Sequence, residues 1–153
     1  MYIFDTSSFI EIFNFYPKRF PSLWNEFDEL VSKKRILSVK EVFKEINERN
    51  DLKTEWAKRN NKIFLEPDEK EASFVVEIFK IKHFQSSLEE KKRLIGGNFA
   101  DPFVIASAKI REYTVVTQEK YKKNGTKIPN ICEYFNISCL NLEGFMEKED
   151  WQF

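Results

Sequence analysis

Asp5, Glu45, Asp101 and Glu119 each stand where an apolar run ends or a helical pattern begins. Carboxylates gathered at one edge of a parallel sheet make an oxygen-lined pocket for Mg²⁺ or Mn²⁺, and such a pocket suits phosphodiester hydrolysis. The chemistry depends on whether elements far apart in the chain bring the four together.

Each acid has a local setting and a plainer explanation beside it. Tyr2-Ile3-Phe4 reads as a buried strand, and Asp5-Thr6-Ser7-Ser8 is a polar stop before the Phe9, Ile12 and Phe13 stripe of a helix. Asp5 therefore falls at the carboxyl end of a strand, the side on which open α/β sheets bind ligands, although it is also a good helix cap. Gly96-Gly97-Asn98 breaks a helix, Asp101 is a favoured N-cap, and Pro102 fits the first turn of a helix running through Phe103 to Ala108. Capping alone is a sufficient reason for an aspartate there. At about 100° per residue Glu45 lies nearer the Val42, Phe43 and Ile46 face than Glu41 does, so Glu45 can reach a semi-buried site while Glu41 points to water. Glu119 follows the β-branched strand Thr114-Val115-Val116-Thr117. For Glu45 and Glu119 the competing reading is a solvated charged face.

Met1-Tyr-Ile-Phe-Asp5-Thr-Ser, Ser38 with Val42-Phe-Lys-Glu45-Ile, Asp101-Pro-Phe-Val-Ile-Ala-Ser-Ala and Val-Val-Thr117-Gln-Glu119, in this order, resemble the PIN-domain nucleases over nearly the whole chain. The resemblance implies one PIN-like domain over residues 1–153, with a three-layer α/β/α fold around a central parallel sheet. It implies a Mg²⁺- or Mn²⁺-dependent endoribonuclease, related to the VapC-type toxins of toxin–antitoxin pairs and open to an antitoxin partner. The catalytic and metal-binding acids would be Asp5, Glu45, Asp101 and Glu119, with Ser7 and Thr117 as polar supports. The family's fourth acid is usually an aspartate; Glu119 is longer by one methylene, which puts its direct contact with an ion in doubt. The alternative is a non-catalytic PIN-like module that binds RNA or a protein.

The elements that must position these residues follow from periodicity. Expected are strand 2–4, helix 8–15, helix 22–33, strand 35–38, helix 40–58, strand 62–66, a long helix over 69–94 and the Asp101 helix. Strand 114–117, a helix near 129–135 and strand 137–141 come next, and the tail from Glu147 to Phe153 docks or frays. Alternating strands and helices favour a parallel sheet covered on both faces. With 153 residues and 16 Phe, the chain suffices for one domain with a largely aromatic core. The Leu23 to Val31 and Phe74 to Ile81 stripes read as core, and their exposed parts are the alternative candidates for a dimer or antitoxin surface.

Several classes are disfavoured. No apolar run approaches the roughly 20 residues of a membrane span, and no leader pattern opens the chain, so a cytoplasmic protein is expected. His83 is the only histidine, which disfavours a histidine relay or a His/Cys zinc centre. Cys132 and Cys139 read as small core residues. Neither G-x-G-x-x-G nor a phosphate-binding G-x-x-x-x-G-K-[ST] occurs. A formal net charge of zero leaves RNA binding to local patches, of which Lys120, Lys122, Lys123 and Lys127, around a flexible Asn124-Gly125, adjoin Glu119. Lys91, Lys92 and Arg93 form a second cluster.

Overall fold

Asp5 turns the chain out of its first strand and straight into a helix, and that junction sets the pattern for the fold. The computed structural model describes residues 1–96 and 99–153, so Gly97 and Asn98 of the expected helix break lie outside the described residues. β1 (Tyr2–Phe4) leads into α1 (Thr6–Ile12), α2 (Pro21–Ser32), β2 (Ile36–Val39), α3 (Lys40–Asn47) and α4 (Leu52–Arg59). Then come β3 (Phe64–Leu65), α5 (Glu69–Phe79), α6 (Lys82–Ile95), α7 (Asp101–Arg111) and β4 (Thr114–Val116). The chain ends with α8 (Ile128–Tyr134), β5 (Cys139–Leu140) and α9 (Leu142–Lys148).

The strands form one parallel sheet in the order β3-β2-β1-β4-β5, with helices on both faces, a three-layer α/β/α fold as expected. Every residue of β1, β2 and β4 is buried, which explains their apolar or β-branched sequences, broken only by Ser38, whose hydroxyl donates to the Phe4 carbonyl at 2.6 Å: strands covered on both faces have no solvent side to alternate with. The chain builds outward from β1 to β3, then returns to lay β4 on the other side of β1. Phe4 pairs with Val116, so Asp5 and Thr117 leave the sheet side by side at this reversal of strand order. A crevice opens at the carboxyl edge at such a point.

The core is aromatic. Phe4 packs within 5.8 Å of Phe9, Phe27 and Phe145, and Phe9 lies 5.6 Å from both Trp56 and Phe64, centroid to centroid. Among the described residues no helix is long and apolar enough to cross a membrane.

Several boundaries differ from expectation. Helix 8–15 is Thr6–Ile12, because the Asp5 carboxylate accepts the Ser8 N–H at 2.8 Å and starts the helix early. Helix 40–58 is two helices: Asn50 takes φ +49°, and Asp51 begins a new one with a reciprocal cap to Thr54. The 69–94 helix also divides, since Ile81 is extended with ψ 106° between α5 and α6. Strand 62–66 begins as a 3₁₀ turn and keeps only Phe64–Leu65, and strand 137–141 keeps only Cys139–Leu140. Asn141 caps α9, which periodicity did not foresee and which puts Phe145 4.8 Å from Tyr2. The tail docks through Trp151, 5.2 Å from Phe145, while Phe153 is exposed. Cys132 and Cys139 are free thiols, buried and half-buried.

Candidate functional site

The carboxylate of Asp5 is 4% exposed and held on every side. Ser7 Oγ donates at 2.8 Å, the Ser8 N–H at 2.8 Å and Thr117 Oγ1 at 2.6 Å. Ser7 also accepts the Gln118 N–H at 2.9 Å, so the β1 and β4 ends are tied through this one group. Burial pushes the Asp5 carboxyl above its ordinary range, although the hydrogen bonds from Thr117, Ser8 and Ser7 oppose it. Asp5 does cap α1, but a cap needs neither full burial nor a hydroxyl from another strand.

Glu45 projects from α3 to the same place. The Thr6 hydroxyl donates to one carboxylate oxygen and the Ala100 N–H to the other at 2.9 Å. Burial again raises its pKa against those two bonds. Glu41 does not point to water as expected: it pairs with Lys44 at 3.1 Å, is only 15% exposed, and lines a separate groove with Phe79 and Lys92. The two glutamates thus serve different surfaces. Glu45→Gln is expected to reduce any reaction in the first cleft by on the order of 10-fold or more, and Glu41→Gln to leave it within about twofold, because only Glu45 reaches that cleft. Paired cleavage assays on the two variants check this.

Asp101 is not the N-cap it was expected to be. Ala100 occupies that position, without a side-chain capping hydrogen bond, and Asp101 is the first helical residue. Its nearest charged partner is Lys91, whose Nζ lies 3.8 Å from Oδ2. Desolvation, then the neighbouring Glu119, push the Asp101 carboxyl up to about 8; Asp5 and Glu45 add to this and Lys91 works against it. An acid so placed feels the charge of three others.

Glu119 is no ordinary exposed acid either. Its Oε2 accepts the Ile128 N–H at the start of α8 at 2.7 Å, and its own N–H donates to Thr117 Oγ1 at 3.1 Å. The extra methylene lets the side chain reach α8 from the end of β4.

All four acids line one cleft of about 580 Å³, with Thr6, Ser7, Lys91 and Lys127 in its walls. Lys127 is the one member of the expected basic loop that reaches it; Lys120, Lys122 and Lys123 are exposed beyond it. The Lys91-Lys92-Arg93 cluster divides as well, with Lys91 in the cleft and Lys92 in the Glu41 groove. The Lys91 ammonium is buried and has no hydrogen-bond partner among the described residues. Sequence reasoning missed it as a cleft residue, since nothing in a basic run tells which member turns inward.

Among the described residues no three of His, Cys, Asp or Glu converge closely enough to cage a metal ion. The donors are nonetheless carboxylate oxygens, and Mg²⁺ is commonly held by one or two carboxylates with water completing its shell. Asp101, which accepts no hydrogen bond from another described residue and is crowded electrostatically by Glu119, fits that mode; Asp5 and Glu45 are spoken for by their own donors and fit outer positions.

A comparison with curated proteins gives no match. The model of a family described as a domain of unknown function, DUF4411, matches residues 2–153, and the chain belongs to that family.

Proposed function

We propose that the protein is a Mg²⁺- or Mn²⁺-dependent endoribonuclease of the PIN type. One observation carries this reading: four acids from β1, α3, α7 and the end of β4 line a single cleft at the carboxyl edge of a parallel sheet. When bound, a divalent ion supplies Lewis acidity toward a phosphodiester and its attacking water. Asp101 and Glu119 are the groups positioned to hold it. Asp5, fixed by Ser7, Ser8 and Thr117, adds a rigid negative charge at the back of the cleft, and Glu45 does so from the α3 side. Lys127, at the rim, faces the approaching phosphate. The toxin role and the antitoxin partner rest on the sequence resemblance, and a small neighbouring reading frame encoding a DNA-binding protein would support both.

A non-catalytic RNA- or protein-binding module is the second reading, favoured because no three acids converge closely enough to cage an ion among the described residues. Incubating the purified protein with labelled single-stranded RNA separates the two. Internal cleavage that needs Mn²⁺ or Mg²⁺ and stops with EDTA is the expected result; intact RNA with either ion overturns the nuclease reading.

Lys91 supplies a prediction of its own. Its buried ammonium is the counter-charge to the acid cluster, so it competes with any divalent ion for the same field. Lys91→Met is expected to lower the melting temperature of the metal-free protein and to tighten Mn²⁺ binding by on the order of 10-fold. Melting curves and calorimetric Mn²⁺ titrations test this; weaker binding in the variant would instead make Lys91 a support for the ion.

A further inference from the structure

A second cavity, of about 500 Å³, lies on the far side of the loop that follows Glu119. Its walls include His83, Phe84, Tyr121, Asn130, Glu133 and Tyr134. Two large aromatic side chains stand open at it: Tyr121 is 55% and Tyr134 59% exposed. Tyr134 is braced edge-on by Phe84 at 5.3 Å and by Phe135 at 4.9 Å, whereas Tyr121 makes no hydrogen bond or ring contact among the described residues. One braced and one free aromatic ring leave flat apolar faces to water, which costs the protein surface energy without benefit to its fold.

The wall is built rather than loose, which corrects the expectation of a flexible Asn124-Gly125. The Asn130 side chain donates to the Lys122 carbonyl at 2.7 Å and accepts the Lys122 N–H at 3.3 Å. Gly125 N–H closes the turn on the same carbonyl at 2.7 Å, and a Cβ at Gly125 would fall 2.7 Å from that oxygen. From the other side, His83 Nε2 meets the Asn124 carbonyl at 3.1 Å and the Ser87 and Thr126 hydroxyls meet at 2.5 Å. The turn is clamped between α6 and α8.

The same loop walls both cavities: Glu119 and Lys127 face the acid cleft, and Tyr121 and Asn124 face this one. Glu119 and Tyr121 are two residues apart, so their Cα atoms lie within about 7 Å. No lysine or arginine lines the second cavity, and the Glu133 carboxylate does, so a phosphate is the wrong occupant. Exposed Lys120, Lys122 and Lys123 flank it instead, where a polyanionic backbone would pass.

We propose that this cavity is a base subsite, in which Tyr121 and Tyr134 stack an unpaired base of single-stranded RNA beside the nucleotide whose phosphate enters the acid cleft. The inference rests on the RNA reading above and extends it to a preference for unpaired substrate. Aromatic platforms beside a basic strip bind single strands through base faces, at a cost of roughly 5- to 150-fold in affinity per lost stack.

Fluorescence anisotropy with a labelled single-stranded RNA of mixed sequence, in EDTA to prevent cleavage, is the test. Tyr121→Ala and Tyr134→Ala are each expected to weaken binding by about 10-fold, and Tyr121→Phe to restore it to within about twofold. Binding of duplex RNA should be equally weak in all of them. Wild-type affinity in Tyr121→Ala overturns the subsite, and that variant decides alone if Tyr134→Ala misfolds, because Tyr121 is more than half exposed and has no hydrogen bond or ring contact among the described residues. An equal loss on duplex RNA also overturns it, pointing to backbone contact. If the wild-type protein binds no RNA, the subsite falls together with the RNA reading, an outcome distinct from the other two.

Discussion

Asp5→Asn is expected to cut metal-dependent RNA cleavage sharply while leaving the fold intact. The substitution keeps the shape and an oxygen that can still accept the Ser8 N–H at the start of α1. It removes a charge that burial already disfavours, so folding is unchanged or slightly favoured. The loss should be about 10- to 100-fold, the range for a group that supports a metal site from outside the ion's own ligands. Glu119→Gln should cost at least as much, since it removes a carboxylate positioned to hold the ion, while its amide oxygen can keep the Ile128 bond that ties β4 to α8 and so preserve the fold. Cleavage assays beside circular dichroism measure both effects. An Asp5→Asn protein that cuts RNA at the wild-type rate would place the reaction outside this cleft.

Mn²⁺ affinity is expected to climb by up to about tenfold per pH unit from pH 6 to 8 and then level off. The cause is Asp101, whose carboxyl is pushed up to about 8 by burial and by Glu119. Below that pH the folded, metal-free protein holds a proton there, and an ion must displace it. The sign for folding follows from the same shift. An unfolded Asp101 ionises near its ordinary value of 3.8, so between there and about 8 the folded state binds more protons than the unfolded one. The contribution of Asp101 therefore makes the metal-free protein less stable as pH rises through that window and adds no further change above it. Saturating Mn²⁺ should offset the loss at the alkaline end. Calorimetric titrations at pH 6, 7, 8 and 9, repeated on Asp101→Asn, provide the measurement. A flat pH profile in the wild type, or the same slope in Asp101→Asn, would remove Asp101 from the role of ligand.

Much of this protein was legible in the sequence because its signals are local. Tyr2-Ile3-Phe4 and Thr114-Val115-Val116 are strands by composition, each followed by a polar break with an acid in or just beyond it. Their apolar and β-branched residues marked them as buried strands, and the alternation of strands with helices pointed to the parallel α/β/α architecture. The helix face of Glu45 followed from periodicity alone. The divisions at Asn50 and Ile81 did not, because an apolar stripe continues across a short break when both helices pack on the same core.

Only the tertiary structure could decide what each acid does. Asp5 and Glu119 turned out to accept backbone N–H groups at helix starts, Asp101 turned out to be the first helical residue and not the N-cap, and Glu41 was half-buried in another groove. Lys91 came into the cleft from a run of three basic residues that look alike in sequence. Local patterns fix which residues lie at the end of a strand or on one face of a helix. They carry no information about which strands are neighbours, and the cleft exists because β4 returns beside β1, which brings the Thr117 hydroxyl 2.6 Å from Asp5 across 112 residues of chain.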